Sequence, residues 1–263
     1  MVRPKKFLGQ HFLKDLNVAH KIVESLALPE SEKSAVLEIG PGMGVLTRLL
    51  LEKRNFDLFL IEIDYESVDY LKREFPEVSD RIISGDFLKI DWWTGIKGQL
   101  NIIGNFPYNI SSQIFFNVLE HRDKVCQVVC MLQKEVADRI CSKHGSKVYG
   151  ILSVLLQAFY DIEFLFKVSP GVFSPPPKVM SAVIRLKRNE RAKLDCDETL
   201  FQYVVKQAFQ KRRKTLRNAL KHLNLPGPLV ATKLMDKRPE QLSVEDFIFL
   251  TRSIQADEGV RRI

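Results

Sequence analysis

The 263-residue sequence has no long apolar run, and its cysteines and histidines are few. The most apolar stretch, Ile151 to Tyr160, is interrupted by polar residues and is too short to span a bilayer. No apolar run follows the basic N-terminus, which argues against a secretory signal. The four cysteines include no C-x-x-C pair and the five histidines are scattered, so neither a metal site nor a disulfide is expected. These absences predict a cytoplasmic protein that uses no membrane and no metal.

The composition is that of a folded domain with an excess of positive charge. Hydrophobic residues make up 45% and charged residues 27% of the chain, and its length suffices for one large α/β domain with a smaller appendage. The net charge of +8 suggests a polyanionic partner without proving one, because other proteins also carry such a balance.

Apolar runs alternate with helical patterns from Val36 to Leu132, which predicts parallel strands joined by helices. Two later strands, separated by a proline-rich segment, are expected to close the sheet as an antiparallel pair. Ser111 is placed as the N-cap of the helix after the fourth strand. The predicted strands are Val36–Ile39, Leu58–Ile63, Arg81–Ser84, Leu100–Ile103, Val125–Leu132, Ile162–Val168 and Val179–Leu186, and the helices between the early strands are Val45–Lys53 and Ser67–Phe75.

The strand pattern ends near Asn189, and only helices are predicted beyond it. The last of them carries a start signal, a capping box formed by Ser243 and Asp246. The expected helices are Glu198–Phe209, Arg213–Leu223 and Val244–Ile254. We therefore divide the chain into an α/β domain, residues 1–189, and a small helical domain, residues 190–263.

The segment Glu38-Ile-Gly-Pro-Gly-Met-Gly44 lies between a strand and a helix, where glycines let a ligand approach the backbone closely. Such a turn alone fits a dinucleotide site, a methyl-donor site or merely a tight turn. Glu62, at the end of the next strand, has a carboxylate that can accept both ribose hydroxyls of an adenosine. Asp86, after the third strand, can accept from an adenine amino group. Together these strand-end features predict a nucleoside-binding pocket that includes Gly40 and Gly42.

Asn105-Phe-Pro-Tyr108, at the end of the fourth strand, resembles the Asn/Asp-Pro-Pro-Tyr motif of amino-methyltransferases. The exocyclic nitrogen of adenine is a poor nucleophile because its lone pair is delocalised into the ring. Its two protons can be held by the Asn105 side-chain oxygen and by the backbone carbonyl of Phe106 or Pro107. Holding both protons favours a pyramidal nitrogen whose lone pair is aimed at the methyl group. Tyr108 is expected to stack on the base.

With these motifs in view, the chain resembles the ribosomal RNA adenine dimethyltransferase family, in its bacterial small-subunit branch. The likeness extends over nearly the whole chain and rests on five segments: Lys6–Leu13, Gly40–Gly44, Asn105–Asn109, Phe173–Val179 and Ala208–Asn218. It implies a Rossmann-like fold for a methyltransferase that depends on S-adenosylmethionine. That fold has a mostly parallel seven-stranded sheet with an antiparallel last strand, followed by a C-terminal α-helical domain.

The resemblance also implies an activity and a set of site residues. The activity is the dimethylation at N6 of two adjacent adenosines in a hairpin near the 3′ end of 16S ribosomal RNA. The expected partner is that RNA within an immature 30S particle, the protein is expected to act as a monomer, and a role in small-subunit biogenesis follows. Phe173 is implied as a second aromatic face on the target base. The donor contacts implied are His11, Leu13, Gly40, Glu62, Asp86 and Asn105.

His11 departs from the family pattern, which has Asn at this position. An imidazole can still donate a hydrogen bond to the carboxylate of the donor, so His11 is kept as an expected contact. Its presence brings the pH dependence of donor binding into question.

The segment between Lys206 and His222 has seven basic residues and no acidic one. Charge runs are commonly only solvated faces, but in a chain with an adenine site phosphate contact is the better account. The residues expected to bind RNA are Lys211, Arg212, Arg213, Lys214 and Arg217.

Three other functions explain the sequence less well. A nicotinamide-dependent oxidoreductase fits the glycine-rich turn and Glu62 but explains neither Asn105–Tyr108 nor the basic helices. A non-catalytic ribosome assembly factor with the same fold would not need Asn105 and Tyr108. A DNA adenine methyltransferase is disfavoured by the segments around Phe173 and Lys211.

Overall fold

The computed structural model of the chain describes residues 2, 4–28, 34–53, 55–223 and 225–256. Its strands are β1 (Phe12–Leu13), β2 (Ser34–Ile39), β3 (Phe56–Glu62), β4 (Ile82–Ser84), β5 (Leu100–Asn105), β6 (Val125–Gln133), β7 (Tyr160–Val168), β8 (Phe173–Ser174) and β9 (Ser181–Arg188). Its α-helices are α1 (Leu16–Glu24), α2 (Val45–Lys53), α3 (Tyr65–Glu74), α4 (Ser111–Glu120), α5 (Lys134–Cys141), α6 (Ile151–Gln157), α7 (Glu198–Gln210), α8 (Leu216–Ala219), α9 (Gly227–Val230) and α10 (Val244–Gln255).

Seven of these strands form one sheet in the order β4-β3-β2-β5-β6-β9-β7, and β1 and β8 pair separately. The pairs β3–β4, β2–β3, β2–β5 and β5–β6 are parallel, whereas β9 is antiparallel to β6. All six residues of β2 are buried, as expected for a strand covered on both faces. The predicted sheet, mostly parallel with an antiparallel strand at its close, is confirmed.

The strand order changes direction at β2, because the chain first builds outward to β3 and β4 and then returns to place β5 on the other side. Open α/β sheets bind ligands at the carboxyl ends of the strands beside such a reversal. Gly104 lets β5 approach β2 closely there: a Cβ atom at this residue would lie 2.6 Å from the carbonyl oxygen of Ile39.

Several predicted strand and helix boundaries shift by one or two residues, including two near Tyr108. Ser111 is the first residue of α4 rather than its N-cap: Ile110 holds the cap position, and the Ser111 hydroxyl donates 3.4 Å back to the carbonyl of Tyr108. Strand β9 begins at Ser181 rather than Val179, because Val179 and Met180 are exposed at the end of the proline-rich segment.

The described residues form two compact units, one from residues 1–137 and 161–188, the other from residues 138–160 and 189–263. This differs from the continuous division expected from the sequence. The apolar helix α6 belongs to the second unit, where it packs against α7, and the ring centroids of Tyr149 and Phe209 lie 6.2 Å apart.

Within the second unit the predicted helix Arg213–Leu223 is shorter than expected: α8 covers only Leu216–Ala219, and Lys221–Leu223 form a separate 3-10 turn. Residues 211–214 form a turn closed by the Lys214 amide, which donates to the Lys211 carbonyl at 2.8 Å. Thr215 then holds an extended backbone, and α8 begins only after it. The predicted capping box of α10 is confirmed, since the Ser243 amide donates to Asp246 Oδ2 and the Asp246 amide donates to Ser243 Oγ, both at 3.0 Å.

Candidate active site

A cavity of about 690 Å³, part of it open to solvent, lies at the carboxyl ends of β2, β3, β4 and β5. Its wall is completed by the N-terminal segment from Leu8 to Phe12. The cavity brings together eight residues that the sequence singled out: His11, Gly40, Gly42, Glu62, Asp86, Asn105, Pro107 and Tyr108.

Glu62 ends β3 with its carboxylate already held by the backbone. Its Oε2 accepts from the Gly42 amide at 3.1 Å, and its Oε1 accepts from the Asp64 amide at 2.9 Å. Burial raises the pKa of Glu62, and the two amide hydrogen bonds oppose that rise. Gly42 has φ +57°, and a Cβ atom there would lie 2.8 Å from the Phe12 ring. The glycine is therefore needed both for the turn and for the N-terminal segment that crosses it.

Asp86 lies one strand further on, in the turn after β4. Its Oδ1 accepts from the Leu88 amide at 3.0 Å, and its Oδ2 lies 3.4 Å from Lys89 Nζ. The Gly85 amide donates to the Glu62 carbonyl at 2.9 Å and so fixes the two strand ends side by side. The two carboxylates thus stand on adjacent strand ends of one cavity, as the nucleoside-pocket hypothesis requires.

Asn105 ends β5, and only half of its amide group has a partner. Its Nδ2 donates to the main-chain carbonyl of His11 at 2.8 Å. Its Oδ1 is buried and accepts no hydrogen bond from the residues that the structure describes. Buried polar atoms are nearly always hydrogen-bonded, so an unpartnered oxygen beside a cavity indicates a ligand that donates to it.

Tyr108 has its ring 5.4 Å from that of His11 between centroids, at a tilt of 30°. Its hydroxyl lies 2.5 Å from Ser181 Oγ, which ties the ring to the start of β9. Burial raises the pKa of Tyr108 and the hydrogen bond with Ser181 opposes the rise, so the phenol stays neutral.

The comparisons with known proteins agree with this geometry. The family described as "Ribosomal RNA adenine dimethylase" matches residues 1–255. The chain belongs to this family.

Relatives named "Ribosomal RNA small subunit methyltransferase A" are similar along nearly their whole length. The one from Flavobacterium johnsoniae is 58% identical, with 97% of each chain covered, and the one from Parabacteroides distasonis is 57% identical, with 95% of this chain and 94% of the relative covered. This membership, in a family of rRNA adenine dimethyltransferases, supports neither the oxidoreductase nor the DNA methyltransferase alternative.

Two solved structures share the fold. A dimethyladenosine transferase from Plasmodium falciparum matches with a TM-score of 0.77 at 26% identity, covering 91% of this chain and 96% of that one. The 23S rRNA methyltransferase ErmE matches with a TM-score of 0.64 at 25% identity, covering 91% and 99%. The Rossmann-like methyltransferase fold expected from the sequence is thereby confirmed.

Two residues carried over from the dimethylase family do not line the main cavity. Phe173 is 1% exposed and pairs with Leu13 between β8 and β1, and its ring belongs to the hydrophobic core. In this arrangement Phe173 offers no face to a base in the cavity. Leu13 lines a smaller neighbouring pocket, together with Gly40 and Asn105.

Sequence reasoning gave no role to Glu38, although it begins the glycine-rich segment. Glu38 is buried, lines the smaller pocket with Asn105, and accepts from Thr47 Oγ1 at 2.6 Å. Burial raises its pKa to about 8, the hydrogen bond from Thr47 opposes the rise, and the charge of Glu62 adds to it. The sequence placed Glu38 inside a predicted strand but gave no sign of the α2 side chain that binds it.

Lys5 and Gln10 are further residues that sequence reasoning passed over. Lys5 Nζ pairs with Asp64 and lies 3.2 Å from Glu66 Oε1, while Gln10 Oε1 accepts from the Lys5 amide at 2.8 Å. Burial would raise the pKa of Asp64, but its hydrogen bonds, led by that from Lys5, lower it. These contacts fasten the N-terminal segment of the cavity wall to the end of β3.

The basic residues of the second unit fall into two groups that the sequence did not distinguish: some are exposed, and others form contacts within the unit. Lys211, Arg213 and Lys214 are exposed. Arg212 donates to the Lys147 carbonyl, and its Nε lies 4.0 Å from Glu240 Oε2. Arg217 donates to the Val230 carbonyl at 2.7 Å and to Asp236 at 2.9 Å. Two of the five expected RNA contacts therefore also hold this unit together.

Among the described residues, no cluster of three or more His, Cys, Asp or Glu side chains could hold a metal ion. In the same part of the chain, every helix is too short or too polar to cross a membrane.

Proposed function

We propose that the protein transfers methyl groups from S-adenosylmethionine to N6 of two adjacent adenosines in a hairpin near the 3′ end of 16S ribosomal RNA. Its substrate is the RNA within an immature small subunit, and it acts there as a cytoplasmic monomer. The observation that carries this proposal is the buried, unpartnered Oδ1 of Asn105 beside a cavity that also holds two carboxylates.

The residues present fit the donor. Glu62 would accept from the ribose hydroxyls and Asp86 from the adenine amine, while the glycine-rich turn at Gly40 and Gly42 leaves room for close approach. When bound, S-adenosylmethionine supplies a methyl group activated by its sulfonium. No strong base is needed before transfer, and the neutral Tyr108 agrees with that.

The chain holds the target amine rather than deprotonating it. Asn105 Oδ1 accepts a hydrogen bond from one of its two N–H groups, and the backbone carbonyl of Phe106 or Pro107 accepts from the other, so that the nitrogen lone pair is directed away from the ring. The Pro107 carbonyl already accepts from the Ile110 amide at 3.2 Å and keeps a second lone pair. The newly methylated nitrogen is cationic and releases one proton to water. The neutral monomethylated amine then keeps one N–H and its lone pair, so Asn105 alone can hold it for a second transfer.

The test is mass mapping of adenosines after small subunits that lack the modification are incubated with the protein and donor. We expect two neighbouring dimethyladenosines near the 3′ end. Asn105→Ala should slow single-turnover transfer at saturating donor more than tenfold, about 1.4 kcal/mol, and weaken donor affinity far less. Asn17→Ala, an exposed asparagine on α1, is the matched control.

Two results would contradict the proposal. One is methylation at other nucleotides only. The other is a folded Asn105→Ala variant that transfers methyl groups within about threefold of the wild-type rate, well below the tenfold that corresponds to about 1.4 kcal/mol. A wild-type protein that binds small subunits but methylates nothing would instead support the assembly-factor alternative.

A further inference from the structure

His11 makes a contact that differs from the donor contact expected of it. Its Nδ1 lies 2.8 Å from the main-chain carbonyl oxygen of Pro175. A carbonyl only accepts, so Nδ1 carries the hydrogen. In the neutral ring the other nitrogen, Nε2, is then an acceptor and has no hydrogen to give to a carboxylate.

The same residue sets the orientation of Asn105 through its backbone. The His11 carbonyl accepts from Asn105 Nδ2 at 2.8 Å. With the nitrogen of the amide held there, the oxygen of the amide is the atom left unpartnered. A flipped amide would present N–H groups to the target amine, which itself needs acceptors.

The His11 carbonyl is in turn held by a very short strand. Strand β1 has two residues, Phe12 opposite Ser174 and Leu13 opposite Phe173, followed by a 2.9 Å bond from the Lys14 amide to the Val172 carbonyl. The bond from His11 Nδ1 to Pro175 extends this ladder by one step, at the end next to Asn105. Its loss would free the residue whose carbonyl orients Asn105.

We propose that His11 is a positioning residue, whose side chain anchors β1 to Pro175 so that its carbonyl holds the Asn105 oxygen toward the target amine. This rests on the proposed role of Asn105. Asn Nδ2 is bonded to Cγ, as His Nδ1 is, so both side chains place an N–H donor at the same distance along the chain.

The experiment compares His11→Asn with His11→Leu. The two new side chains have nearly the same shape, but only Asn has an N–H group that can donate a hydrogen bond. His11→Phe is a second variant without the N–H group, and it keeps a ring beside Tyr108. It takes the place of His11→Leu if that variant is unstable. For each we would measure the single-turnover rate at saturating donor, the donor Kd by titration calorimetry, and the unfolding midpoint.

We expect His11→Leu and His11→Phe, which lack the N–H, to transfer methyl groups more than tenfold more slowly, with a Kd for S-adenosylmethionine within about twofold of wild type. His11→Asn should recover the transfer rate to within about threefold of wild type. Two results would overturn the proposal. One is an equal transfer rate for His11→Asn and for the variants that lack the N–H group. The other is a weakened donor Kd with the saturated rate retained, which would make His11 a donor contact. An inactive wild type would instead refute the proposed function.

Discussion

Both carboxylate oxygens of Glu62 accept backbone hydrogen bonds, yet each oxygen keeps a second lone pair. Ribose hydroxyls can therefore bind to Glu62 without displacing the amides of Gly42 and Asp64. The amides also offset part of the cost of burying the carboxylate, whose pKa burial raises. The two backbone amides therefore hold the Glu62 carboxylate in place and leave it able to bind the ribose.

Glu62→Ala should weaken S-adenosylmethionine binding by about 1–3 kcal/mol, the usual loss for a charged hydrogen-bond partner. Isothermal titration measures it, with Asp69→Ala, an exposed acid on α3, as the control. If the folded Glu62→Ala variant binds the donor as tightly as the control does, the carboxylate does not contact the donor.

The sequence was sufficient to predict that Glu62, Asp86 and Asn105 lie around one cavity, because the strand ends of a parallel sheet converge on one edge. It was insufficient for Phe173, whose side chain is turned into the core by a two-residue strand that no periodicity reveals. Glu38 was missed for a related reason: its burial and its bond to Thr47 depend on how α2 folds back over β2.

That bond joins two elements. Glu38 lies in β2 and Thr47 in α2, and both side chains are buried. The glycine-rich turn runs between the two elements, so the contact closes the base of the loop that the donor is proposed to use. A buried carboxyl in such a place makes the stability of the unit depend on pH.

Burial raises the pKa of Glu38 from 4.5 to about 8. Below pH 4.5 the carboxyl is neutral in both states. Between pH 4.5 and 8 the unfolded chain loses the proton that the folded protein keeps. Wild type should therefore lose stability relative to Glu38→Gln as pH rises, by at most about 1.4 kcal/mol per pH unit, and the difference should level off above pH 8.

Urea unfolding at pH 5.5 and 7.5 measures this difference. Glu24→Gln, at an exposed position on α1, is the control and should follow wild type at both values. A constant gap between wild type and Glu38→Gln would mean that Glu38 titrates alike in the folded and unfolded chains.

Elements were predictable where local signals and tertiary packing agree. Helix α2 has the expected bounds, and α10 begins at its capping box. The predicted start of a helix at Arg213 was wrong because the cations there suit a helix by propensity, while the Arg212 contact that shapes the turn comes from a distant segment. The place of α6 in the second unit was likewise invisible, since its partners on α7 lie far along the chain.

The molecule has a net charge of +8, but its cations differ in what they contact. Arg212 and Arg217 bond to carbonyls and acids of their own unit, whereas Lys211, Arg213 and Lys214 are exposed. Replacing Arg212 would therefore disturb the unit as well as any RNA contact. The exposed cations give the cleaner test of phosphate binding.

Arg213→Gln with Lys214→Gln should lower affinity for the small subunit and flatten its dependence on salt, because fewer counterions are released per binding event. Donor affinity should not change. Lys72→Gln with Arg73→Gln, two exposed cations on α3, removes the same charge elsewhere. Subunit binding over a salt series decides: if both double variants show the wild-type slope, the cluster is only a solvated face.

The chain enters the second compact unit at residue 138, leaves it at residue 160 and enters it again at residue 189. Helix α6, in the first of these segments, packs against α7 and α10 of the second. A chain cut at residue 189 would leave α6 without these two partners. A chimera that exchanges the second unit between relatives must therefore exchange residues 138–160 and 189–263 together. If only the C-terminal segment were exchanged, its helices would have to pack against an α6 from a different protein.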